Sequence, residues 1–143
     1  VGCGRCIGVC RTGAVQPSWG GSNDVLGRKI AEYSYAVLKD RPHFHINLVV
    51  DVSPYCDCHS ENDLPIIPDV GMFASFDPVA LDKACADAAN RQPVIPGSML
   101  SEKDQRHGDH FTNAHPSTNW MACLEHAVKL GIGSMEYELI DIG

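Results

Sequence analysis

Three of the chain's seven cysteines fall within its first ten residues, as Cys3-x2-Cys6-x3-Cys10. No other feature restricts folding as strongly, because cysteines this close wrap a metal or a cluster more readily than they build a helix or strand. A secreted disulfide scaffold would carry an even number of cysteines spread along the chain. Clustering and an odd count predict reduced or metal-bound thiols in a cytoplasmic protein. The spacing matches the last three cysteines of the bacterial run C-x2-C-x2-C-x3-C-P. Gly2, Gly4 and Gly8 leave room for a backbone that wraps a cubane and aims amides at its sulfurs. Cys3, Cys6 and Cys10 are therefore the candidate ligands of a 4Fe-4S cluster, since thiolates are soft, charged ligands suited to iron. A zinc knuckle is the competing assignment. Arg11 stands where the run has proline; it turns the chain less rigidly, and its charge is expected to raise a reduction potential.

The first cysteine of the run would fall one residue before Val1, and the chain lacks an initiator methionine. Both features predict a piece of a longer protein, with the cluster incomplete or absent in this fragment unless a fourth ligand comes from elsewhere. Residues 1–16 are thus expected to form a short ferredoxin-like cysteine segment. Residues 17–143 are long enough for one α/β domain with its own core.

Within that domain, Leu26, Ile30, Tyr33 and Val37 recur at helical spacing over 24–39, and Arg41-Pro42 ends the pattern. Residues 45–52 alternate as a strand with one strongly apolar face. Residues 53–68 hold three prolines and read as a loop; 70–74 is a second short strand. Asp77-Pro78 pairs an N-cap with the residue favoured at the first helical position, so a helix runs to about residue 89. Residues 90–116 read as a long polar loop. Ser117 or Thr118 is expected to cap a third helix that buries Trp120, Leu124 and Ala127, closed by Gly131. Residues 135–142 read as a last strand. The expected architecture is α/β: a layered sheet with about three helices, preceded by the cysteine segment.

A second set of chemistry-bearing residues lies mid-chain. Cys56 and Cys58, with Asp57 and His59, have the composition of a zinc-type ligand loop. Asp69, Asp77 and Asp82 surround a strand-to-helix turn, where α/β folds place ligands. They define a candidate pocket, with Asp69 and Asp77 expected in one cavity with the cysteine loop. Asp77 doubles as a plain helix cap, while Asp51 and Asp69 have no local structural role in the sequence. Cys85 and Cys123 read as buried small hydrophobes. His43, His45, His107, His110 and His115 read as mostly exposed, with zinc at His107-x2-His110 the lesser alternative, and His126 as a surface residue.

Residues 46–54, Cys56-Asp57-Cys58, the run from Leu64 to Asp82, and the segment 131–140 together resemble the family called domain of unknown function 362. Members are prokaryotic proteins that often carry a ferredoxin-like insert. The resemblance implies the carboxy-terminal part of such a protein and a redox setting, but no particular reaction.

The net charge of −7 and the absence of a basic run disfavour nucleic acid and anionic membranes as partners. No stretch approaches the roughly 20 apolar residues of a membrane span. No phosphate loop, dinucleotide fingerprint or nucleophile–base pair is present. The expected function is iron–sulfur binding in a redox or electron-transfer setting with no reaction named, and the expected partner is a redox partner protein. The alternative is a zinc-type enzyme built on Cys56, Cys58, His59 and the aspartates.

Overall fold

The computed structural model describes residues 9–15, 23–56 and 63–142. They form a small α/β fold. Helix α1 spans Asn23–Leu38, strands β1 and β2 span His45–Val49 and Gly71–Ser75, and helix α2 spans Pro78–Asn90. A 3-10 turn at Met99–Glu102, helix α3 at His110–Ala114 and helix α4 at Met121–Lys129 complete the order.

The two strands pair antiparallel, with His45 opposite Ser75, Asn47 opposite Phe73 and Val49 opposite Gly71. β1 is shorter than its pattern predicts. At Asp51 the chain enters the left-handed region (φ 47°), and its N–H donates to Asp69 Oδ1 at 2.9 Å. Aspartate tolerates that conformation better than most residues. The two aspartates without a role in the sequence thus close the strand end together.

α2 lies against both strands and carries the core on either side. Near its start, Val79 joins Ala31, Leu124 and Ala127, with Trp120, Ile132 and Met135 packed around them. Near its end, Ala89 joins Ile66, Ile67, Leu100 and Ala114. Asp77 caps the helix as expected: its Oδ1 accepts from Val79 N at 2.9 Å and Ala80 N at 3.0 Å. Gly131 closes α4 with φ 76°; Ile132 N donates to Ala127 O and Gly131 N to Val128 O. These are the paired hydrogen bonds of a glycine C-cap.

α1 packs along α4 through Gly27 and Ala31. At Gly27 an added Cβ would meet Cys123 N at 3.1 Å, so the glycine sets how closely the two helices approach. The apolar residues that mark α1 in the sequence lie elsewhere: Leu26, Ile30, Tyr33 and Val37 are all more than half exposed.

Three local expectations are corrected. Residues 90–116 are not a structureless loop: Leu100 is fully buried in the 3-10 turn, and Asp109 caps α3 by accepting from Thr112 N. These elements are too short to show periodicity. α4 begins at Met121 rather than near residue 117, because the Thr118 hydroxyl donates back to His115 O and holds a turn there. Residues 136–142 join no strand among the described residues. Instead Tyr137 donates its hydroxyl proton to Asp87 on α2, and Ser134 N donates to Asp77. Alternating apolar residues supply only a strand's side-chain pattern; a ladder also needs an edge within reach.

Candidate functional site

Cys10 is the member of the amino-terminal cysteine run that lies within the described residues; Cys3 and Cys6 lie outside them. It opens a tight turn. Gly13, at φ 67°, donates its N–H to Cys10 O, and the chain returns so that Val15 N points at Cys10 Sγ from 3.3 Å. The Thr12 hydroxyl lies 3.5 Å from the same sulfur. Glycine at position 13 supplies the left-handed conformation that folds the amides back. The hydrogen bond from Thr12, then the amide of Val15, lower the Cys10 pKa to about 7. Donors aimed at a sulfur stabilise its anion. A substantial thiolate fraction therefore exists at neutral pH, unlike the other two cysteines with altered thiols. Burial, with Asp82's negative charge adding to it, pushes the thiols of Cys85 and Cys123 up. Both are packed as small hydrophobes, as their helix positions suggest.

The middle motif lies only partly within the described residues. Cys56 is exposed, while Asp57, Cys58 and His59 lie outside the described residues. Among the described residues no three or more His, Cys, Asp or Glu side chains are grouped to hold a metal ion.

The three candidate pocket aspartates are not gathered into one site. Asp69 precedes β2 and Asp77 follows it, so the length of the strand, roughly 16 Å, lies between them. Asp69 holds the turn at Asp51. Asp77 divides its carboxylate between the α2 cap and Ser134 N, 2.8 Å from Oδ2. Asp82 has a different surrounding. Its Oδ1 accepts from Asn47 Nδ2 at 2.8 Å, and the same amide reaches Cys85 Sγ at 3.7 Å. Asp82 and Asn47 line a cleft of about 410 Å³ with Tyr33, Val37, His45 and Leu81. His45 shares a 2.9 Å ring hydrogen bond with His43 at its edge. The cleft has apolar walls and one polar end, which suits a small amphipathic ligand. Asn47 is the residue sequence reasoning missed; a polar side chain inside an apolar strand pattern was its signal.

The remaining histidines do structural work. His110 donates from its ring to Gln92 O and from its backbone to Asn90. His107 N donates to Asn113, and His115 Nε2 donates to Pro54 O at 2.6 Å. His126 turns inward, with Nε2 3.5 Å from Glu32 on α1. No described helix is long and apolar enough to cross a membrane.

The family model described as domain of unknown function (DUF362) matches residues 5–87. That span covers the turn after Cys10, the sheet and most of α2. No curated protein and no solved structure matches the chain.

Proposed function

The chain belongs to the family of domains of unknown function 362, and within it we propose an iron–sulfur redox role, with Cys3, Cys6 and Cys10 as thiolate ligands. The observation that carries this reading is the surrounding of Cys10. A half-ionised, half-buried sulfur with an amide and a hydroxyl directed at it suits a ligand of a 4Fe-4S cluster. Hydrogen bonds to ligand sulfurs are a main lever on a cluster's reduction potential. Such a cluster supplies one-electron storage. The residues' part is to hold thiolates deprotonated, to offset their charge through Val15 N and Thr12, and to present the site to a redox partner protein. Cys56 and Cys58 are the candidates within this chain for a further thiolate.

The zinc-type enzyme is less supported, because Asp69 and Asp77 sit at opposite ends of β2 and each holds backbone amides.

Iron and acid-labile sulfide, measured after anaerobic reconstitution, test the proposal. Iron and sulfide with a broad blue–violet absorbance, lost in Cys10→Ser and kept in Cys85→Ser, are expected. Zinc without iron at the same cysteines overturns it.

A further inference from the structure

The strands turn a mixed side toward α2 and a wholly apolar side away from it. His45, Asn47 and Val49 on β1 and Phe73 and Ser75 on β2 are half-buried on the α2 side. The opposite side carries Phe44, Ile46 and Leu48 beside Met72, Ala74 and Phe76, and not one of these is polar or charged. Each is exposed: Leu48 by 66%, Met72 by 69% and Phe76 by 74%. Opposed pairs tile the surface in rows. Ile46 faces Ala74 and Leu48 faces Met72, while the Phe44 and Phe76 rings meet edge to face at 4.9 Å. An ordinary half-buried antiparallel sheet turns its more apolar side inward.

Taking 150–250 Å² for each ring and somewhat less for each aliphatic side chain, the face exposes about 600 Å² of apolar surface. That is the upper limit of patches found on monomers. Two such faces in contact bury about 1,200 Å², the area at which specific protein–protein interfaces begin. None of the six side chains on this face is charged. A two-fold axis through it therefore brings no like charges together. Sheets pack face to face about 10 Å apart, a spacing these side chains fill.

We infer that the outer face of the β1–β2 sheet is a dimer interface, and that its occupant is the same face of a second copy of this chain. Ile46 and Ala74 form its middle row, with Leu48 and Met72 at one end and the Phe44–Phe76 pair at the other.

Sedimentation equilibrium of the 143-residue chain across micromolar concentrations provides the test. Wild type is expected to populate a species of twice 15.5 kDa. Ile46→Lys and Ile46→Glu, in the middle row, each place like charges across the axis and should weaken association by roughly 100-fold or more. Because Ile46 is exposed in the single chain, both variants should keep the wild-type circular dichroism. An equimolar mixture of the two should dimerise again, which misfolded variants would not do. Wild type that stays monomeric at every concentration overturns the inference. So does an Ile46→Lys variant that dimerises as tightly as wild type, or a mixture that stays monomeric.

Discussion

Replacing Gly133 with alanine tests how the carboxy-terminal segment is attached. Ser134 N donates to Asp77 Oδ2 while Oδ1 of the same carboxylate caps α2. A Cβ on Gly133 would stand 2.7 Å from Asp77 Oδ2 and closer still to Oδ1 and Cγ. Gly133 does not have a positive φ, so alanine meets no backbone strain of its own there. Its whole effect should pass through the displaced carboxylate. Losing the cap costs about 1 kcal/mol. Losing a charge-assisted bond on the surface costs about another 1 kcal/mol. Gly133→Ala should therefore destabilise by about 2 kcal/mol, read as a lower urea midpoint by circular dichroism. Asp77→Ala should cost about the same, because it removes the same bonds. The double variant decides the matter. With no carboxylate to strike, alanine at 133 should add almost nothing, leaving a coupling of about 2 kcal/mol between the sites. Costs that add to within about 0.5 kcal/mol would refute the shared-carboxylate reasoning.

Leu100→Ala should destabilise by about 2–4 kcal/mol, since Leu100 is fully buried beside Ile66 and Ile67 in a polar-looking stretch; thermal unfolding reads it. At Asp87, burial pushes the carboxyl up, but hydrogen bonds from Lys83 and Tyr137 outweigh it and hold the pKa below the usual value. A folded pKa lower than the unfolded one stabilises above the unfolded value, and that stability is lost as pH falls through the folded value. Tyr137→Phe should thus cost about 0.5 kcal/mol at neutral pH and progressively less in acid, by urea titrations at several pH values. In the metal-free chain, alkylation of Cys10 should reach half its maximal rate near pH 7, while Cys85 and Cys123 react only at higher pH; mass-resolved labelling separates them. Thr12→Val should move the Cys10 midpoint upward.

Features governed by a few neighbouring residues were legible in the sequence. Asp77-Pro78 marks the start of α2, Gly131 marks the end of α4, and period-two alternation marks β1, because caps and pleats act over one turn or one residue pair. Which side of an element is covered is a different kind of fact. Leu26, Ile30, Tyr33 and Val37 define α1 by their period, yet the helix buries Gly27 and Ala31 because α4 approaches on the small side. The apolar side of β1 is likewise the uncovered one, since α2 packs on the side of Asn47. Asp69 and Asp77 stand apart for a related reason: they are eight residues apart in sequence, and an extended strand holds them at its two ends. Periodicity records that a residue is apolar and at what interval it recurs. Only the tertiary structure decides what lies against it, because that depends on segments distant in the chain arriving from one side rather than the other.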